Sequence, residues 1–138
     1  MHDNFDYFFA EVLKSEGLLY EDVPGDNGGP TKCGITIADV ARWNNRTLPA
    51  RDAADWNDLV AKVRALTPEL AGQIYKKFYW DTVRADELPA GIDYCVVDYA
   101  VNSGPGRAIP ALGQAVGFPT TKMTDNLIAA TVRFTHAA

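Results

Sequence analysis

One stretch of this chain, residues 20–34, cannot continue the helical pattern that precedes it. It contains two prolines and four glycines, a density that favours turns and irregular backbone. Upstream, five apolar side chains repeat at helical spacing: Phe5, Phe8, Phe9, Val12 and Leu13. This spacing predicts a helix over residues 3–15, with Asp3 as its N-cap and Gly17 as its end. The stretch itself is predicted to form a small β-hairpin or an irregular flap.

Helical periodicity continues through the rest of the chain. It predicts helices over residues 37–43, 53–65, 68–80 and 89–101, a sixth ending near residue 116, and a last over 124–135. Thr36 with Asp39 is typical of a capping box. Asp52 and Thr67 are candidate N-caps, and Pro110 is expected in the first turn of its helix. Because strands and helices do not alternate, the predicted fold class is a mainly α globule with one small β element after the first helix.

The composition limits the function classes. The chain has 138 residues, of which 47% are hydrophobic, and a net charge of −5, which is typical of one soluble domain. A basic stripe for nucleic acid is absent from the sequence. No apolar run approaches the ~18 residues that span a bilayer, and no leader is visible, so synthesis in the cytoplasm is expected. Cys33 and Cys95 are too few for a disulfide framework and are expected to be free, partly buried thiols.

Glu16 is the strongest candidate for catalysis. It stands at the end of the first predicted helix, where the negative end of the helix dipole disfavours an ionised carboxylate. Burial against Phe9, Leu13 or Leu19 would act in the same direction. A carboxyl group that keeps its proton can serve as a general acid, which hydrolysis of a glycosidic bond requires. The alternative is a solvated acid beside a helix-ending glycine.

Asp26 is the candidate for the second acidic group. The glycines of its loop allow a tight return that would place it across a cleft from Glu16. An Asx-turn aspartate is the alternative, and Glu21 and Asp22 are rivals for the same role. Thr31 is expected to help hold a water molecule or an acetamido group, or else to be an ordinary strand residue.

Other polar and aromatic residues give weaker signals. Both histidines lie near the termini, and the acidic loop lacks the alternating spacing of a calcium loop, so neither a metal site nor a cofactor is predicted. Tyr79 and Trp80, at a predicted helix end, are candidates for stacking on sugars, although such aromatics more often lie in a core. Asn102 and Ser103 are candidates for hydrogen bonds into a cleft, or for a cap and turn.

Two runs of the sequence, residues 16–36 and residues 98–105, resemble a known family. Residues 26–36 read Asp-Asn-Gly-Gly-Pro-Thr-Lys-Cys-Gly-Ile-Thr, which matches at every fixed position the pattern Asp-x-Gly-Gly-x-Thr-x-x-Gly-Ile-Thr of the glycoside hydrolase family 108 lysozymes. The family's preceding Glu-Gly-Gly-Tyr reads Glu-Gly-Leu-Leu over residues 16–19. Residues 98–105 resemble the start of the family's peptidoglycan-binding region, which looks abbreviated here.

The resemblance implies a lysozyme-like fold and an N-acetylmuramidase. Such an enzyme cleaves the β-1,4 bond between N-acetylmuramic acid and N-acetylglucosamine. Glu16 falls on the family's essential glutamate, and Asp26 and Thr31 fall where a wider set of phage lysozymes places an aspartate and a threonine. The chain would be one domain over residues 1–138, with a catalytic part at 1–88 and a shortened peptidoglycan-binding part at 89–138.

The resemblance also implies a setting. The expected partner is the peptidoglycan glycan strand, with neither nucleic acid nor membrane insertion. A phage or prophage endolysin released with a holin, or a wall-remodelling muramidase, is the expected context. Two alternatives stay open: an inactive wall-binding or phage structural protein, and a lytic transglycosylase that makes anhydro-muramyl ends.

Overall fold

The secondary structure is mainly helical. The computed structural model describes residues 2–22 and 29–136. Its α-helices are α1 (His2–Glu16), α2 (Ile37–Trp43), α3 (Ala54–Arg64), α4 (Pro68–Tyr75), α5 (Ile92–Ser103), α6 (Pro105–Ala115) and α7 (Asp125–His136). A π-helical turn at Lys76–Trp80 continues α4, and a 3-10 turn covers Ala85–Glu87. Strands β1 (Thr31–Lys32) and β2 (Ile35–Thr36) form an antiparallel hairpin. The predicted fold class, with its hairpin after the first helix, is confirmed.

The chain divides into two compact units. One contains Phe9–Tyr75, and the other contains Met1–Phe8 together with Lys76–Ala138. In the Phe9–Tyr75 unit the hairpin contacts α2, α3 and α4. Ile35 of β2, Leu59 of α3 and Ile74 of α4 are among its buried side chains. The hairpin is therefore fixed to this unit by apolar packing.

The other unit has its own core, in which α5 and α6 make the most extensive helix contact. The indole of Trp80 is fully buried, and its ring centroid lies 5.4 Å from that of Phe5 and 5.9 Å from that of Phe8. Asp93 is also buried, and its carboxylate accepts hydrogen bonds from the Asn4 amide at 2.8 Å and the Tyr94 backbone at 2.7 Å. These contacts join residues near the chain start to the later segment.

Several local predictions about helix ends are confirmed. The hydroxyl of Thr36 accepts a hydrogen bond from the Asp39 backbone at 3.1 Å, which completes the capping box of α2. The hydroxyl of Thr67 accepts from the Leu70 backbone at 3.2 Å, with Pro68 in the first turn of α4. Gly17 ends α1 with a φ of +77°.

Three local predictions are wrong. Asp3 lies inside α1, which begins at His2. Asp52 is not a cap, because α3 has Ala53 at its N-cap position with no side-chain cap bond. Pro110 lies inside α6, since Pro105 after Gly104 begins that helix five residues earlier. A proline at the first helical position is favourable, so the local signal at Pro105 outweighs the hydrogen bond lost at Pro110.

The buried face of α5 includes a charged residue. Val96, Val97 and Ala100 are buried, as is Asp93, whereas Cys95 is exposed and Tyr99 is 45% exposed. Asp93 therefore lies on the buried face of the helix, and its hydrogen bonds satisfy the carboxylate in the core. Cys33 and Cys95 are both free thiols, as expected, but only Cys33 is buried, so the expected partial burial is wrong for Cys95. Within residues 2–22 and 29–136, no helix has the length and apolarity needed to cross a membrane.

Candidate active site

Glu16 is the last residue of α1, at the position that the helical periodicity predicts for it. Its side chain is exposed, and Leu19 is 79% exposed. The predicted burial of Glu16 against such apolar neighbours is therefore wrong, because α1 ends at Glu16 and the leucines that follow it, Leu18 and Leu19, are themselves exposed. An exposed carboxyl group at a helix end is accessible to a substrate from solvent.

The stem of Glu16 lies against the turn of the hairpin. A Cβ atom placed on Gly34 would lie 2.9 Å from Cγ of Glu16 and would collide with the hydroxyl of Tyr75. Only glycine allows this close approach, and its φ of +77° is also one that glycine adopts readily. Gly34 therefore sets the position of Glu16 relative to the hairpin.

The turn itself is a two-residue connection. Lys32 pairs with Ile35 across it, and both Cys33 and Gly34 have positive φ, at +55° and +77°, the pattern of a type I′ hairpin turn. The Tyr75 hydroxyl donates a hydrogen bond to the Cys33 carbonyl at 3.2 Å. Burial raises the pKa of the Cys33 thiol, and the charge of Lys32 opposes this shift only in part.

Thr31 lies on β1, in the middle of a short row of backbone pairs. It pairs with Thr36 of β2 on one side. On its other side Thr31 and Glu21 exchange two backbone hydrogen bonds, each of 2.8 Å. The hairpin thus gains a third extended segment, and Thr31 is held by strand pairing on both edges.

Two arginines hold the segment before β1. The Arg64 guanidinium lies 3.9 Å from the ring centroid of Tyr20, a cation–π contact. Arg51 lies 3.8 Å from the Asp22 carboxylate and 5.1 Å from the ring centroid of Trp56. Asp26, the predicted second acid, falls in residues 23–28, outside the described residues.

The predicted sugar contacts lie in the other unit. Trp80 has no exposed face on which a sugar could stack, and its Nε1–H donates to Asp86 at 2.9 Å. Its assignment as a substrate-binding residue is therefore corrected to that of a core residue. Tyr79 is half-buried, and Asn102 and Ser103 are exposed at the end of α5. The roles of these three stay predictions.

The described side chains do not form a metal site. Among the side chains that the structure describes, in residues 4–22 and 29–136, no three of His, Cys, Asp or Glu gather as metal ligands would. The chemistry that this region offers is that of an accessible carboxyl group beside a hairpin that carries a hydroxyl.

Comparison with protein-family models identifies the family to which this chain belongs. The model of the glycosyl hydrolase 108 family matches residues 9–104. The chain belongs to the glycosyl hydrolase 108 family. At family level it is therefore a glycosidase of the lysozyme type whose substrate is peptidoglycan, as the two sequence runs indicated.

A structural comparison agrees with membership of the glycosyl hydrolase 108 family. The solved structure of SagA from Brucella abortus is similar, with a TM-score of 0.81 and 34% sequence identity. The similarity covers 96% of this chain and 71% of the SagA chain. It confirms the lysozyme-like helical fold with its small hairpin. Among proteins with curated descriptions, none matches this chain.

Two elements of the site were not predicted from the sequence. Tyr75 sits at a helical spacing typical of core aromatics, so its hydrogen bond to the hairpin turn has no local signal. Arg51 lies in a connection that the helical pattern left undefined, and its partner Asp22 is far from it in sequence. The positive φ expected of a glycine in a Cys-Gly turn was the one available signal for Gly34.

Proposed function

We propose that this family 108 glycosidase is an N-acetylmuramidase that hydrolyses the β-1,4 bond between N-acetylmuramic acid and N-acetylglucosamine. Glu16 acts as the general acid. Asp26 stabilises the positive charge that develops on the sugar or positions the attacking water, and Thr31 assists by holding that water or an acetamido group. The observation that carries the proposal is the contact of the Glu16 stem with Gly34, in the same hairpin that bears Thr31.

The reaction is balanced with these groups alone. The bond between the anomeric carbon and the bridging oxygen breaks, and the electron pair leaves with the oxygen. That oxygen takes the proton of Glu16 and becomes the hydroxyl of the released sugar. A water oxygen then bonds to the anomeric carbon, and its proton passes to a carboxylate.

The wider setting follows the same proposal. Tyr79, Asn102 and Ser103 contact the glycan strand, and residues 1–88 act as the catalytic part, with residues 89–138 as a shortened wall-binding part. The enzyme serves as a phage or prophage endolysin that a holin releases, or as a wall-remodelling muramidase. Motif similarity to phage lysozymes supports the first of these settings.

The test is digestion of purified peptidoglycan by wild type and by Glu16→Gln, with products read by mass spectrometry. The amide cannot donate the required proton. We therefore expect the rate of digestion to fall by at least about 100-fold, within the range of general acid catalysis. Glu11→Gln is the matched control, because Glu11 lies on the same helix and pairs with Lys14 at 3.1 Å. It should keep wild-type activity.

The products separate this proposal from its alternatives. Reducing muramic acid ends that vanish only in Glu16→Gln support a muramidase. Anhydro-muramyl ends from wild type would instead identify a lytic transglycosylase. A wild-type protein that binds peptidoglycan without releasing fragments would be a wall-binding protein that retains the fold.

A further inference from the structure

The segment before β1 directs alternate side chains to opposite faces. The Tyr20 ring lies under Arg64 of α3, and the Asp22 carboxylate lies near Arg51, in the connection before α3. Successive residues of extended backbone point to opposite sides. Glu21 stands between these two residues in a backbone bridge, so its side chain points to the face opposite α3.

Strand β1 shows the same division between a face toward α3 and a face away from it. Lys32 donates a hydrogen bond from Nζ to the Arg64 carbonyl at 2.7 Å, so its side chain reaches α3. Thr31, its neighbour in the strand, therefore points to the other face. Glu21 and Thr31 are directly opposed across two hydrogen bonds of 2.8 Å. Directly opposed residues of antiparallel strands share a face, with Cβ atoms about 5 Å apart.

Glu21, Thr31 and Thr36 therefore form one row on the face that is turned away from α3. In this row, Thr36 uses its hydroxyl to cap α2, where it accepts the Asp39 N–H. The hydroxyl next to Glu21 in the row is that of Thr31. A carboxylate and a hydroxyl at this spacing provide an acceptor and a donor that can hold one water molecule between them.

We propose that Glu21, together with Thr31, holds and deprotonates the water that attacks the anomeric carbon. The inference rests on the proposed muramidase function and assigns the water to Glu21, which leaves Asp26 to stabilise the positive charge on the sugar. In this step the water oxygen bonds to the anomeric carbon as the glycosidic bond breaks. The proton of the water goes to Glu21, and that of Glu16 goes to the leaving oxygen.

The exposed location of Glu21 is consistent with this role. Its side chain is open to solvent, so that water and a glycan strand can reach it. Asp22, its rival in sequence, is occupied by Arg51, which also packs on Trp56. The structure thus separates two adjacent carboxylates, since Asp22 points toward Arg51 and Glu21 points to the face that carries Thr31.

The first test compares Glu21→Gln with Asp22→Asn. The two changes neutralise neighbouring carboxylates on opposite faces, which makes the second a matched control. Removing a general base lowers the rate by about 100-fold or more, whereas loss of an exposed ion pair costs at most ~1 kcal/mol of stability. We expect the kcat for peptidoglycan to fall in Glu21→Gln alone, while both variants keep the wild-type unfolding temperature.

The second test uses azide, which needs no base. In Glu21→Ala the anion attacks the anomeric carbon directly, while the leaving oxygen still takes its proton from Glu16. We expect added sodium azide to raise the rate of Glu21→Ala about 10-fold or more, within the contribution of the lost base. A glycosyl azide should appear in the mass spectrum. Glu16→Ala should show no rescue, because it still lacks the acid.

The outcomes separate this inference from the proposed function. If wild type releases no reducing ends, the muramidase proposal fails and this role fails with it. If wild type is active and Glu21→Gln matches Asp22→Asn, only the role of Glu21 is wrong. Azide rescue of Asp26→Ala but not of Glu21→Ala would also overturn it, and would assign the water to Asp26.

Discussion

Gly34 is the residue on which the geometry of the candidate site depends most directly. The Glu16 stem and the Tyr75 hydroxyl occupy the space that a side chain at this position would need. A methyl group there must move the helix end, the tyrosine or the turn. Since Tyr75 also binds the Cys33 carbonyl, all three are linked through one glycine.

Gly34→Ala should therefore lower both stability and activity. A positive φ alone costs a non-glycine residue about 1–2 kcal/mol, and the overpacking at Glu16 and Tyr75 adds about 1–3 kcal/mol. Gly117→Ala is the control, because Gly117 has a φ of +75° with open space around its would-be Cβ. Urea unfolding and peptidoglycan digestion of both variants check this. An equal loss of stability in the two variants would contradict the packing role of Gly34.

Single residues were predictable where their signal is local. Glu16 ends a periodic helix and Gly17 stops it, so its place at the helix end follows from a few neighbours. Trp80 was assigned to sugar binding because it lies near a helix end, but its burial depends on Phe5 and Phe8, far away in sequence. Such partners have no signature in the local pattern.

At the level of elements, the capping box of α2 ties the hairpin to the helix that follows it. Thr36 ends β2 and also caps α2, so a single side chain sets where the strand stops and the helix starts. Thr36→Ala should lower the free energy of unfolding by about 0.5–2 kcal/mol, the usual cost of losing such a cap.

Asp52→Ala is the matched control for this prediction. Asp52 looks like an N-cap in the sequence, yet α3 has no side-chain cap bond. Its substitution should change stability by less than about 0.5 kcal/mol, as for most surface positions. Denaturant unfolding monitored by circular dichroism measures both variants. A larger loss in Asp52→Ala than in Thr36→Ala would show that the caps are assigned the wrong way round.

Helix positions were predicted well because periodicity is a local property. The bounds of α2 agree with the prediction at both ends, since the capping box and the apolar stripe both mark them. The buried face of α5 includes Asp93, which an apolar pattern does not mark. The buried carboxylate of Asp93 is stabilised by a long-range hydrogen bond from Asn4, and the apolar pattern alone cannot contain that information.

For the whole molecule, several carboxylates make stability depend on pH. A hydrogen bond from Trp80 is the main cause that lowers the pKa of Asp86 below its ordinary 3.8. Hydrogen bonds from Arg84 and Arg46 likewise lower the pKa of Glu87 and Asp58. A group with a lowered pKa in the folded state stabilises the fold above its unfolded pKa, and loses this contribution as the pH falls through the folded value.

We therefore expect stability to fall below about pH 4, near the ordinary pKa of these groups. Asp86→Asn keeps an oxygen for the Trp80 N–H but cannot titrate. Its free energy of unfolding should depend less steeply on pH between neutral and acidic solution than that of wild type. Urea unfolding over that range measures the slopes, and an unchanged slope would show that Asp86 does not contribute.

The division of the chain into units has a consequence for its synthesis. Phe5 and Phe8 leave the ribosome about seventy residues before Trp80, against which they pack. At about 5–20 residues per second, the two phenylalanines wait several seconds for their partner. The Phe9–Tyr75 unit is complete before then. The start of α1 is thus an apolar segment of the nascent chain that a chaperone can bind, and it reaches its final packing only after the segment up to Trp80 has been made.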